Sequence, residues 1–406
     1  MLPSACSIAV DPSQILLVEP KPKLSKTHLP ALDGVRAIAI VAVLLAHTLP
    51  DISGTGKIAA ALTTVASAGA FGVDLFFVLS GFLITGILLR TRTSENYFSS
   101  FYARRVLRIF PIYYLVLTLS VMGGHVSAAF ARQLPAWASW KVAYFFYVQN
   151  WPIFWHGEKI MSGIWGAYWS LAVEEQFYFI WPLVISLLPE KTIAWICYIG
   201  VACALPLRIF LSLHYFGTSF GLAQITSSRV DGLFLGAACA IYMFRHKRPV
   251  PMRWIVASGS VGLMIMAYIA AFHHRELVGT QNWMTTLGIT GFALLSGALV
   301  AISPHHIKWI DHVLTLEWLR TAGKYSYGIY VYHLFIFLPI RVLGNRVGLW
   351  DRLNFPERIV GLISEMIVVF LIAKISYDLF ESRFLLLKRF FNPNGEPSLS
   401  RSTCST

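Results

Sequence analysis

Charge is scarce in this chain. Asp, Glu, Lys and Arg make up 13% of its 406 residues, against about 25% in a typical soluble domain. The length alone would allow two or three soluble domains, but 56% of the residues are hydrophobic and the mean hydropathy is +0.62, which points to one helical membrane bundle. Acidic residues are scarcest: 20 Asp and Glu against 33 Lys and Arg leave a formal charge of +13. In a soluble protein that surplus would suggest nucleic acid. Here the basic residues sit between apolar stretches, as topology signals and lipid-headgroup contacts do, so a nucleic-acid partner is excluded. Cysteine is also sparse. Cys6, Cys197, Cys203, Cys239 and Cys404 form no CxxC pair and none neighbours a histidine at metal-ligand spacing, so neither a disulfide nor a metal site is expected. A cleavable signal peptide is not visible. The first thirty residues, with several prolines and Lys21, Lys23, Lys26 and His28, read as a disordered cytoplasmic leader.

What the chain has in quantity is apolar stretch. A membrane helix needs about 20 mostly apolar residues, and ten candidates fall near 34–52, 69–89, 109–126, 168–188, 192–212, 228–244, 254–272, 283–303, 323–342 and 359–380. An eleventh, 141–155, is apolar but short, aromatic-rich, and interrupted by Asn150 and Pro152. The positive-inside rule decides against its crossing. With the leader inside, the arginines of 90–108 fall inside. The Arg245–Arg248 cluster, Lys388 and Arg389 do so only if 141–155 stays on the outer side as an interfacial or re-entrant segment. The expected fold is an all-α polytopic bundle of about ten transmembrane helices with both termini cytoplasmic. It divides into a leader (1–30), a membrane domain (31–388) and a cytoplasmic tail (389–406). One discordance remains: the loop 341–358 falls outside although it carries Arg341, Arg346, Arg352 and Arg358.

Charges at bilayer depth cost several kcal/mol on insertion scales and mark function by default. Asp33, Arg36 and His47 lie on the first helix, Asp74 on the second, Glu174 and Glu175 on the fourth, Arg229 and Asp231 at the start of the sixth, and His333 on the ninth. Eleven residues, three helical turns, separate Arg36 from His47, so both share one face about 16 Å apart along the axis. A lone histidine on an apolar helix is more often a packing residue than a catalyst, and an arginine at a helix end is usually a snorkelling anchor; their pairing on one face favours function. Counting turns inward from the outer surface puts Asp74 and Glu174 in the layer of His47. There a carboxylate would fix the imidazole tautomer for general-base work, and a structural charge cluster is the equal alternative. On the inner side Arg105 and Arg108, at i and i+3 on one face, join Arg104 and Arg36 in a basic cluster. Each is explained singly by positive-inside charge; together they suit a phosphate clamp.

These motifs resemble the acyltransferase 3 family of bacterial membrane O-acyltransferases. The resemblance runs from about Leu32 to Phe384 through LDGVRAIAIVAVLLAH, FGVDLFFVLSGFLIT, FYARRVLRIFPIYY, WSLAVEEQFYFIWPL, SRVDGLFLGA and KYSYGIYVYH, in that order. Arg36 and His47 match the family's Arg-to-His pair, Arg105 and Arg108 its Arg-x-x-Arg, and Glu174 its glutamate motif. The resemblance implies an inner-membrane enzyme that moves an acyl group, commonly acetyl, from cytoplasmic acyl-CoA to a hydroxyl of a saccharide or glycoconjugate outside. It further implies a membrane domain without the SGNH hydrolase-like domain that some members carry. The donor is a substrate, and no bound cofactor is expected. The expected catalytic residues are His47, Glu174 and Asp74. Arg36, Arg104, Arg105 and Arg108 are expected to hold acyl-CoA, and Glu175, Tyr327, Tyr330 and His333 to shape the acceptor pocket. A covalent acyl-enzyme on His47 or on a serine such as Ser80 stays open. The rival from another class is a proton-coupled transporter or exporter of a glycan or lipid-linked precursor, since buried histidines and carboxylates also build proton relays; the absence of a clear inverted repeat or paired broken helices speaks against it.

Overall fold

The computed structural model describes residues 29–48, 62, 66, 68–126, 137–156, 165–214, 219–272 and 283–393. The expected leader up to residue 28, the tail from 394, Cys6 and Cys404 lie outside the described residues. Within them every regular element is helical. The principal helices are α1 (Pro30–Thr48), α2 (Gly72–Thr91), α3 (Tyr97–Val126), α4 (Trp137–Phe145), α5 (Asn150–His156), α6 (Trp169–Leu187), α7 (Glu190–His214), α8 (Val230–His246), α9 (Met252–Phe272), α10 (Ile289–Ile302), α11 (Glu317–Arg346) and α12 (Phe355–Ser376). Eight helical stretches among the described residues are long and apolar enough to cross a membrane. The other two expected crossings fall on α6, which carries Glu174 and Glu175, and on α8, with 17 residues. At 1.5 Å per residue these two helices span about 28 and 26 Å, close to the roughly 30 Å of a hydrocarbon core. Large apolar side chains such as Phe179, Leu263, Met264, Ile363 and Ile367 point out of the bundle, as a helix surface facing lipid requires.

The segment 141–155 does not form one helix. It is divided between α4 and α5, of nine and seven residues, both too short to span. The break is at Tyr147, which takes a left-handed φ of 53°. It is held from inside the bundle: Gln176 of α6 donates to the Tyr147 carbonyl at 2.8 Å and to Asn150 Oδ1 at 2.9 Å, and Gln149 donates to the Tyr168 carbonyl at 2.6 Å. The non-helical backbone at the break is thus satisfied by an amide side chain from α6, as buried irregular backbone in a membrane bundle requires.

Three differences from expectation bear on the site. The third helix begins at Tyr97, twelve residues before 109, so Arg104, Arg105 and Arg108 lie on α3 and not in a loop. The ninth runs on to Arg346, so Arg341 is a helical residue. It sits 3.7 Å from the 4%-exposed Glu365 of α12 and donates to the His47 carbonyl at 2.5 Å. Part of the discordant charge is thus neutralised inside the bundle. Finally, α6 starts level with the middle of α11. The Tyr168 hydroxyl, just ahead of it, donates at 2.6 Å to the carbonyl of Val331, deep in α11.

Two contacts set the frame. α2 and α8 cross at paired glycines: a Cβ on Gly81 would collide with the Leu233 carbonyl, and one on Gly236 with that of Val78. Small residues let membrane helices approach backbone to backbone in this way. α1 lies along α11 in the same direction, with Gly323 against the Asp33 carbonyl. That contact puts Arg36 and His47 beside the face of α11 that carries Tyr327, Tyr330 and His333.

Candidate functional site

At one end of the α1–α11 pair the two histidines meet. The His47 and His333 rings stand edge to face with centroids 5.0 Å apart. His47 Nδ1 lies 2.8 Å from the Val43 carbonyl, and His333 Nδ1 lies 2.5 Å from that of Tyr330. A carbonyl oxygen only accepts, so each Nδ1 carries a proton, which in the neutral imidazole leaves the lone pair on Nε2. His333 is fully buried, and its Nε2 has no hydrogen-bond partner among the described residues. Two imidazoles locked in the same tautomer by their own helices thus present two basic nitrogens.

The expected carboxylate partners of His47 lie elsewhere, for geometric reasons. Asp74 follows Gly72 by two residues, about 200° around α2. Gly72 faces α1, against Ala39 and Val43, so Asp74 faces away from it. Asp74 pairs at 2.7 Å with Arg229, the two side chains 1% and 5% exposed. Arg229 also donates to the Ala223 carbonyl and lies over the Trp169 ring. A second buried pair, Arg208 with Asp231 at 2.7 Å, continues this layer. Glu174 is displaced because α6 starts deep: about one and a half turns from its first residue lead past the histidines, toward the arginines.

There a cavity of about 270 Å³ brings together Arg36, Arg105, Arg108, Glu174 and Glu175, with Tyr327 and Tyr330 in its wall. Glu174 Oε1 accepts from Ser80 Oγ at 2.6 Å, and Ser80 Oγ accepts from the Tyr178 hydroxyl at 2.8 Å. Arg105 lies 5.5 Å over the Tyr178 ring, and Arg36 pairs with Asp33 at 2.5 Å. The far end of the cavity is Tyr330. Its hydroxyl donates to the Ala167 carbonyl at 2.7 Å and meets Ser170 Oγ at 2.5 Å, while its ring is 5.4 Å from His333. One tyrosine therefore separates the arginine cavity from the histidine pair. Arg104 takes no part: it is exposed and donates to the Phe391 carbonyl at 2.8 Å.

Ser80, Tyr178 and Arg341 are the residues of this arrangement to which the sequence reading gave no firm place. Tyr178 follows Glu174 by four residues, and Arg341 follows His333 by eight, so helical periodicity carried both signals.

A polytopic helical bundle with a basic cavity at one end and a histidine pair at the other defines the class of protein, and the comparison with known families agrees. Residues 29–374 match the acyltransferase 3 model, described as an acyltransferase domain, and the chain belongs to that family. Among curated proteins it is 28% identical over 379 residues to the peptidoglycan O-acetyltransferase OatA of Listeria monocytogenes, covering 89% of this chain and 56% of the relative. It is 27% identical to the O-acetyltransferase OatA of Staphylococcus aureus (88% and 57%). It is 26% identical to the putative peptidoglycan O-acetyltransferase YrhL of Bacillus subtilis (87% and 54%). The chain spans little more than half the length of these relatives. No solved structure matches it.

Proposed function

We propose that this protein is a membrane O-acetyltransferase. In this reading it takes an acetyl or other short acyl group from acyl-CoA on the cytoplasmic side and gives it to a saccharide hydroxyl on the outer side of the inner membrane. The observation that carries the reading is the alignment of two unlike centres along α1 and α11: an arginine-lined cavity, and a histidine pair one tyrosine beyond it. Clustered basic residues at the cavity end favour the cytoplasm for that end, and the names of the relatives support a glycan acceptor.

The chemistry follows from the tautomers. Arg36, Arg105 and Arg108 offer forked donors to phosphate, and the cavity beyond them takes a narrow chain toward Tyr330. With Nδ1–H committed to Val43, His47 Nε2 removes the proton of the acceptor hydroxyl as its oxygen attacks the thioester carbonyl. His333 Nε2 stands ready to share that proton. Collapse of the adduct expels the CoA thiolate, which takes the proton back from the imidazolium. Asp74 has a structural part in this scheme, anchoring Arg229, and Glu174 stays on the donor side.

A covalent route has one observation in its favour: the 2.6 Å bond from Ser80 to Glu174, a hydroxyl beside a carboxylate base in the donor cavity. One experiment addresses both routes. His47→Ala should lower the transfer rate by about 10²–10⁴-fold, the usual contribution of a general base, with acetyl-CoA binding retained. Full activity in that variant would overturn the scheme. A labelled acetyl group trapped on Ser80 of the native protein without acceptor would establish the covalent route; none trapped would leave direct transfer.

A further inference from the structure

Arg36 lines three cavities, not one. Besides the cavity that ends at Tyr330, a space of about 300 Å³ lies toward α12, bounded by Arg36, Arg108, Lys324, Asp33 and Glu381. A third, of about 460 Å³, lies on the other side of α1, where the start of α1, the ends of α2 and α8, and the turn after α10 converge. The three differ in charge balance. In the first, three arginines face Glu174 and Glu175, and in the second three cations face two carboxylates. In the third, Arg36, Arg90, Lys247 and Arg248 face Asp33 alone.

The third cavity has two further features. Its walls include the rings of Phe82 and Phe244, with Lys247 Nζ 4.3 Å from the Phe244 centroid. Among the described residues, three non-glycine residues have positive φ, and two of them, Lys247 (53°) and His306 (52°), line this cavity. Side chains rarely adopt that region, and such conformations collect at ligand clamps. At Lys247 it ends α8 and turns Lys247 and Arg248 over the space, where Arg248 is steadied by a 3.1 Å bond to the Tyr242 hydroxyl.

We infer that this third cavity binds the 3′-phosphoadenosine end of the acyl-CoA donor, with Arg90, Lys247 and Arg248 on its 3′-phosphate and the aromatic walls beside its base, while the diphosphate stays with Arg36, Arg105 and Arg108. The inference rests on the acyl-CoA reading above and deepens it. Arg36 and Leu83 line both this cavity and the first, so the diphosphate bridges the two at Arg36 while the 3′-phosphate sits in the most cationic space. Arginine and lysine hold phosphate by charge-assisted hydrogen bonds, and an aromatic face suits a purine.

The test is equilibrium binding of acetyl-CoA and 3′-dephospho-acetyl-CoA to the purified full chain. Removing two phosphate-binding cations by Lys247→Ala with Arg248→Ala should weaken acetyl-CoA by about tenfold or more and 3′-dephospho-acetyl-CoA by clearly less. Lys247→Arg should keep the native affinity and show that the position tolerates substitution. Unchanged affinity in the double variant, or equal losses for both donors, would overturn the assignment. An anionic lipid is the other source of a phosphate. If phosphatidylglycerol micelles protect the native protein but not the double variant from thermal unfolding, while acetyl-CoA affinity is unchanged, the cavity holds a headgroup and the inference fails. If the native protein binds neither donor, the acyl-CoA reading itself fails, a result distinct from failure of this subsite alone.

Discussion

Replacing Asp74 separates a structural carboxylate from a catalytic one. Its pair with Arg229 is 2.7 Å long and almost completely excluded from solvent. Arg229 is held independently by the Ala223 carbonyl at 2.6 Å and by the face of Trp169. In Asp74→Ala the guanidinium therefore cannot swing out to solvent and stays buried without its counter-charge. Breaking a buried pair from one side costs about 3–5 kcal/mol, which in a chain of this size lowers the unfolding temperature on the order of 5 °C. Removing both charges with Asp74→Ala and Arg229→Met leaves no orphan charge, only the Ala223 carbonyl without its donor, so the double variant should regain most of the loss. The cycle should show a coupling of about 2 kcal/mol or more, at the upper end for residues in direct contact. The assay is thermal unfolding in detergent followed by size-exclusion chromatography, with acyl transfer measured on the surviving folded fraction. If Asp74→Ala unfolds at the native temperature while its transfer rate falls by orders of magnitude, Asp74 is a catalytic group and the structural assignment is refuted.

Three further substitutions probe the arginine cavity and the frame. Arg108→Ala should weaken acetyl-CoA binding by about tenfold or more, the value of a charge-assisted hydrogen bond. Arg104→Ala should leave it within about twofold, because that side chain is exposed and directed at Phe391; equal effects in the two variants would count against the cavity as the donor site. Gly81→Ala should cost about 1–3 kcal/mol, as overpacking does, because the new methyl meets the Leu233 backbone and not a side chain that can move. The yield of monodisperse protein measures this, and a native yield would mean that the α2–α8 crossing is looser than described.

The bundle was legible in the sequence because membrane solvation leaves few alternatives. Without water every backbone group must bond within its own segment, so long apolar runs become helices whatever their detail. The arginine motif was legible for a related reason: i, i+3 spacing fixes a shared face, and Arg105 and Arg108 do line one cavity. What failed was depth. Assigning Glu174 to the layer of His47 assumed that α6 starts at the membrane surface. The start of α6 is instead level with Val331, and the α4–α5 segment folds in beside it: its Gln149 donates to the Tyr168 carbonyl, and Gln176 of α6 donates to the Tyr147 carbonyl and to Asn150. A hydropathy profile gives the length of a run, not the height at which it begins.

The orientation of Asp74 failed for a different reason. Depth along a helix is set by residue count, but the neighbour that a residue meets is set by rotation, and rotation is fixed by where partner helices touch. Gly72 meets α1, which turns Asp74 toward α8 and gives it to Arg229. Among the described residues no carboxylate hydrogen-bonds His47, and its Nδ1 lies against the Val43 carbonyl four residues back. His333 does the same with Tyr330. Each imidazole is thus oriented by the helix that carries it, and the pair needs only the parallel register of α1 and α11 to bring the two rings together. That register is set at the other end of the helices, where Gly323 lies against Asp33, beside the Arg36 that borders three cavities. The contact that aligns the histidines therefore also positions Arg36.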